Sequence, residues 1–193
     1  MKPFKLTVAP NGARLQRADH PALPISITDT VATAVACYDA GADEIHLHVR
    51  NADGSHSLDA GYYREAISEL ANAVPNMSVQ ITTESAGVFD VGAQLNCLTE
   101  LRPKAASISV REMARDADLA KRAYDVCADA DTQVQHILYT PVCVAQFLAC
   151  PRDGVIHAGQ HDVIFVLVLF NPPALATPLL LDTLFSLMDR SVL

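Results

Sequence analysis

The stretch that decides the fold is Glu44-Ile45-His46-Leu47-His48-Val49-Arg50. Alternating apolar and polar residues over this length predict a β-strand over Glu44–Val49. On a strand, residues i and i+2 share a face, so His46 and His48 project together and Leu47 points the other way. Working outward, five more short β-rich runs have the same character: Phe4–Val8, Ser78–Thr82, Ala106–Val110, Gln133–Leu138 and Val163–Leu169. Successive runs start roughly 30 residues apart, the length of a βαβ unit.

Stretches with helical apolar spacing separate the runs. The first carries Val31, Ala34, Val35 and Tyr38, ends before Gly41, and has Ser26, Thr28 and Asp29 as capping residues. The second carries Tyr63, Ile67, Leu70 and Val74 and stops at Pro75; another carries Leu119, Ala123, Val126 and Cys127. The last, Leu179–Met188, follows Pro178, which suits a first helical turn. Strict alternation of strand and helix means a parallel sheet covered by helices. Two architectures fit, a doubly wound open sheet and a (β/α)8 barrel. No G-x-G-x-x-G follows the first strand, which weighs against a dinucleotide fold. A barrel needs eight units and typically ~250 residues. The 193 residues supply about six units in one domain.

Composition excludes some partners. Net charge is −8, the wrong sign for a phosphate backbone, so no nucleic-acid partner is expected. The longest apolar run, Val163 to Phe170, falls short of the roughly 20 residues that span a bilayer. The five cysteines are odd in number and lack a C-x-x-C spacing. With no signal-peptide pattern at Met1-Lys2-Pro3-Phe4, a soluble protein of the reducing cytoplasm is expected.

At the C-terminal end of a strand, where parallel α/β folds place their chemistry, His46 and His48 make half of a divalent-metal site. Catalytic zinc takes about three protein ligands and keeps one position open. Glu84 and His136 are positional candidates for a third ligand. A buried structural pair is the competing reading, and spacing does not separate the two. Arg50 is read either as a clamp for a carboxylate or as a surface residue at a loop start.

Several segments, taken in order, resemble the β-keto acid cleavage enzymes. They are Thr7-Val8-Ala9-Pro10-Asn11-Gly12-Ala13, Asp19-His20-Pro21-Ala22-Leu23-Pro24, Ile45-His46-Leu47-His48-Val49-Arg50, Asp53-Gly54, His56-Ser57-Leu58-Asp59 and Gln80-Ile81-Thr82-Thr83. The resemblance implies a TIM barrel, here truncated to about six βα units. It implies condensation of a β-keto acid with acetyl-CoA to give acetoacetate and a new acyl-CoA. It makes His46 and His48 ligands of zinc or another divalent metal. Thr82, with Thr83 beside it, and Ser107 become contacts of the substrate carboxylate, and Asn11 and Gly12 line the site with Arg50 nearby. Arg14 stands where some members carry an acidic residue that grips an amino group, so a neutral or anionic keto acid is expected. A homo-oligomer is also expected.

The family's late segment, resembling G-G-H-V-R-V-G-x-E-D-N, has no counterpart after Phe170, and with it go the third metal ligand, an arginine and an acidic residue. The F-V-L of the sixth strand, Phe165-Val166-Leu167, runs into Val168 where a glycine is usual. A chain so read has open edges, binds metal weakly and has little activity alone. The rival functions are a non-catalytic relative that persists as a binding module, and another metal-dependent aldolase or hydrolase.

Overall fold

The computed structural model describes residues 4–188 except 152, 158, 168, 171, 172, 175 and 176, and for residues 169, 170, 173 and 174 it describes the backbone only. The elements in order are β1 (Thr7–Val8), α1 (Ile27–Asp39), β2 (Glu44–Leu47), β3 (Val49–Arg50), β4 (His56–Ser57), α2 (Ala60–Ala73), β5 (Ser78–Thr82), α3 (Val91–Leu101), β6 (Ala105–Ser109), α4 (Val110–Met113), α5 (Ala117–Asp129), β7 (Gln133–Leu138), α6 (Pro141–Ala149), β8 (Asp162–Phe165), β9 (Leu169–Phe170), β10 (Pro173–Ala174) and α7 (Pro178–Leu187).

Six strands form one sheet in the order β1-β2-β5-β6-β7-β8, every pair parallel. This order decides between the two architectures. A doubly wound sheet reverses direction at a switch point. Here each new strand is added on the same side, so the sheet curls as a half-barrel.

Strand alternation sorts the side chains. Ile45, Leu47, Ile81, Ala106, Ile108, Val134 and Leu138 are buried in the core beneath the helices. Tyr63 and Leu70 of α2, Leu98 of α3, Tyr124 of α5 and Phe147 of α6 pack into the same core. Burying one such side chain contributes roughly 1.5–3 kcal/mol, so this face carries the stability of the sheet. The opposite face is concave and carries the polar side chains of His46, Gln80, Thr82, Ser107 and Gln135. Among the described residues no helix is long and apolar enough to cross a membrane.

Local chemistry explains the element ends. Ser26 caps α1 in a capping box with Asp29, whose backbone N–H lies 3.1 Å from the Ser26 hydroxyl. Pro141 and Pro178 open α6 and α7. Four strand expectations are corrected: the first strand shortens from Phe4–Val8 to Thr7–Val8, the one expected over Ala106–Val110 runs Ala105–Ser109 because Val110 opens α4, and two others change at their C-terminal ends. The strand at Glu44 leaves the parallel ladder after Leu47, because the His48 carbonyl accepts a hydrogen bond from the Asn11 amide at 3.2 Å instead of from a strand partner. Val49–Arg50 then pairs antiparallel with His56–Ser57 in a small hairpin. The last strand of the sheet ends at Phe165; of its expected continuation, Val168 lies outside the described residues and Leu169–Phe170 pairs with Pro173–Ala174 instead.

Candidate functional site

All six sheet strands line a concavity of ≈ 780 Å³: Thr7, His46, Gln80, Thr82, Ser107, Gln135, Ile137 and Ile164 form its floor. Asn11, Arg14, Glu84, Arg111 and Tyr139, from segments at the C-terminal strand ends, form its rim.

His46 and His48 come together as their spacing predicts, with ring centroids 5.1 Å apart. The Nδ1–H of His46 donates to Gln80 Oε1 at 2.7 Å, and the Gln80 amide donates onward to Gln135 Oε1 at 3.1 Å. That chain orients the Gln80 amide and selects one His46 tautomer, leaving Nε2 with a lone pair. His48 is buried, and its Nδ1 has no hydrogen-bond partner. Burial lowers the pKa of His46, and lowers that of His48 well below its ordinary value, where His46, His56 and Arg50 push in the same direction. Both are therefore neutral imidazoles near pH 7, the form that donates to a metal. They fit as two ligands of a divalent cation. Among the described residues, no three His, Cys, Asp or Glu side chains converge as a metal site.

The two candidates for a third ligand are engaged elsewhere. Glu84 forms an ion pair with Arg14 across the rim. His136 has the parity of Val134 and Leu138 and sits on the helix side of the sheet, fully buried beside Tyr124 and Phe147. Its Nε2–H donates to the Gln160 carbonyl at 3.0 Å, so its Nδ1 accepts from the Tyr124 hydroxyl at 3.3 Å.

Thr82 and Ser107 are adjacent across the β5–β6 ladder. The Ser107 hydroxyl donates to Thr82 Oγ1 at 3.3 Å, and the Glu84 N–H donates to the same oxygen at 3.0 Å. With its acceptor positions used, Thr82 keeps its own hydrogen for a ligand on the concave side. Thr83 is not brought to the concavity: its hydroxyl donates to the Ser107 carbonyl at 3.1 Å. Asn11 reaches the cavity wall with its amide donating to Pro24 and His48 carbonyls, while its Oδ1 is buried without a partner.

Arg50 is where the structure departs most from the sequence reading. It does not line the concavity. It is 7% exposed, and its guanidinium donates to the carbonyls of Asn11, Gly12, Leu15 and Gly54 at 2.6–3.2 Å. It clamps the loop after β1 onto the β3–β4 hairpin rather than a ligand.

Other site residues escaped sequence reading. The His56 ring lies with its centroid 5.5 Å from that of His48, tilted by 50°, and donates through Nε2 to the Glu84 carbonyl at 2.7 Å. Glu112 is a buried carboxylate that accepts from Ser85 N and Oγ and from the Gln94 amide at 2.8–2.9 Å, tying the loop after β5 to α4. The one available signal was at the hairpin, where Asp53-Gly54 is a turn signature.

Comparison with known proteins agrees with this geometry. The sequence matches the beta-keto acid cleavage enzyme family over residues 3–191. It is 28% identical to the 3-oxoadipate:acetyl-CoA acetyltransferase of Cupriavidus necator over 124 residues, 64% of this chain and 42% of that protein. It is 32% identical to the 3-keto-5-aminohexanoate cleavage enzyme of Fusobacterium nucleatum over 109 residues, 56% of this chain and 39% of that one. The matched stretches thus span about two fifths of those relatives' length. Among solved structures, a type I 3-dehydroquinate dehydratase from Clostridium difficile superposes with a TM-score of 0.58 at 12% identity, over 83% of this chain and 62% of that one. ObcA, solved as a ternary complex with a C4-CoA adduct and oxalate, gives 0.56 at 16% identity over 77% and 37%. At such identities the structural likeness is one of fold, a TIM-barrel-like α/β architecture. Sequence and fold together place the chain in the beta-keto acid cleavage enzyme family.

Proposed function

We propose that this chain serves a zinc-dependent acyl exchange, in which a β-keto acid and acetyl-CoA give acetoacetate and a new acyl-CoA. The observation that carries the reading is the pair of neutral imidazoles, His46 lining the concavity with its Nε2 lone pair unspent and His48 buried beside it, in a chain of this family. The Cupriavidus relative is named for the same pairing of a keto acid with acetyl-CoA.

His46 and His48 would hold the cation, with Gln80 and Gln135 keeping His46 Nε2 turned toward it. When bound, a divalent metal supplies a Lewis acid that polarises a keto oxygen. The remaining work belongs to the protein's own groups. The free hydroxyl hydrogen of Thr82 donates to the substrate carboxylate, and Ser107 sets the orientation of that hydroxyl. Holding the carboxylate beside the histidine pair fixes the keto carbon in one pose and removes an entropic part of the barrier. The apolar side chains of Ile137 and Ile164 limit water on the far side of the floor.

Metal analysis tests the reading. Purified chain is loaded with zinc, dialysed, and assayed for bound metal and for 3-oxoadipate binding. Zinc retention that drops at least about tenfold in His46→Ala and in His48→Ala, with keto acid binding only to the loaded protein, is expected. Zinc retained equally by the double variant, or no zinc at all, overturns it and favours a non-catalytic relative.

A further inference from the structure

We propose that Arg111 and Tyr139 form an anion subsite on the wall of the concavity away from the histidines, and that it receives the second carboxylate of a dicarboxylic β-keto acid. The ligand's keto end rests on the function proposed above; the subsite itself rests on separate observations.

The first observation is placement. Arg111 lies just beyond β6 and Tyr139 just beyond β7, two strands paired through Ser109 and Ile137, and both line the concavity. The second is geometry. The guanidinium carbon sits 3.9 Å from the Tyr139 ring centroid. Stacking of this kind fixes the guanidinium plane and leaves its edge N–H groups as a fork suited to a carboxylate.

The third observation is availability. The other cations around the site are committed. Arg14 pairs with Glu84, Lys5 pairs with Glu44 at 2.5 Å, and Arg50 is spent on backbone carbonyls. Among the described residues no ion pair engages Arg111. Burial pushes the Tyr139 phenol up to about 12, so its hydroxyl keeps the hydrogen beside the fork. In a chain of net charge −8, an unpaired guanidinium on a cavity wall is a specific feature. The anionic preference expected of Arg14 therefore moves to Arg111.

Span selects the ligand. Thr82 on β5 pairs with Ser107 across one strand step of about 4.8 Å, and Arg111 follows past Ser107, just beyond the end of β6. A short dicarboxylate bridges that distance, with one end near Thr82 and the other at Arg111. A monocarboxylic keto acid uses its only charge at the first end. The phosphates of acetyl-CoA are the other source of an oxyanion, and a single planar fork matches a carboxylate better than a multiply charged phosphate chain.

Calorimetric titration with adipate, hexanoate and coenzyme A, with and without zinc, tests the proposal. Adipate binds more tightly than hexanoate. Arg111→Leu weakens adipate at least about tenfold and leaves hexanoate and coenzyme A unchanged. Arg111→Lys recovers only part, because it loses the fork and the stack. An unchanged far-UV spectrum verifies folding of each variant, as expected for an exposed side chain. Equal binding of adipate and hexanoate overturns the proposal, as does an Arg111→Leu effect on coenzyme A alone. Failure of zinc binding with Arg111-dependent adipate binding intact sinks the proposed function and spares the subsite. The reverse pattern sinks only the subsite.

Discussion

Replacing Arg50 separates a loop clamp from a ligand clamp. Its guanidinium donates to four carbonyls on two loops, and the side chain is buried. A hydrogen bond to a charged group contributes about 1.5–3 kcal/mol. Four independent acceptors would then total about 6–12 kcal/mol, an overestimate, because a loosened loop lets water reach most of the carbonyls. A net loss of about 3 kcal/mol is expected for Arg50→Met, which keeps the aliphatic stem. For a domain of this size that lowers the thermal midpoint by roughly 6–12 °C. Arg50→Lys should rescue little, since one ammonium cannot reach both loops in the geometry of the fork. Thermal unfolding followed by circular dichroism reads the midpoint, and limited proteolysis of residues 9–25 reads the loop. The reasoning is refuted if Arg50→Met leaves both unchanged while weakening carboxylate binding, for that is the behaviour of a ligand clamp.

Two further perturbations probe the frame of the site. His136 has a pKa lowered to about 4, chiefly by burial, against an ordinary value of 6.5. Above pH 6.5 it is neutral in both folded and unfolded chains and costs nothing. As pH falls through that value toward 4, the unfolded chain takes up the proton and the folded chain does not, so about 3 kcal/mol of stability is lost. Urea unfolding across this window should show the pH slope reduced by that amount in His136→Gln; an unchanged slope would mean that other groups carry it. Gly54 has φ of +81°, and a Cβ there would lie 2.8 Å from Gln16 Oε1. Gly54→Ala should cost about 1–2 kcal/mol in urea unfolding, because the left-handed backbone is strained and the Gln16 contact must shift. A neutral or stabilising result would show that the turn relaxes.

The sheet was largely legible because each strand's alternation is local. Gln80, Ser107 and Gln135 stand out as polar residues among Val79, Ile81, Ala106, Ile108, Val134 and Leu138, and the structure puts them on the concave face. The end of the strand at Glu44 was less legible, since it depends on an Asn11 side chain 37 residues away that takes the His48 carbonyl. Arg50 was illegible for the same reason. Its partners are backbone carbonyls, which every residue carries, so no pattern of residue types announces them. Strand order, likewise, is a property of the crossovers and not of any one segment; the spacing of the runs left two architectures open, the family resemblance implied the barrel, and the strand order bears that out.

Parity and burial, taken together, sort the histidines more sharply than proximity to a strand end. His46 is even-numbered on a strand whose odd positions, Ile45 and Leu47, face the helices, so it points into the concavity. His136 is also even-numbered, but its strand buries Val134 and Leu138 under the helices, and so His136 goes with them. The apolar neighbours at i ± 2 therefore predict the side that a strand histidine takes. Burial lowers both imidazoles' pKa values, yet the two have different partners. His136 uses both ring nitrogens on Gln160 and Tyr124 and has nothing left to offer. His46 spends Nδ1 on Gln80 and keeps Nε2. A residual lone pair on a neutral ring at a cavity wall distinguishes a candidate ligand from a core histidine, and in this chain only the packed structure reveals it.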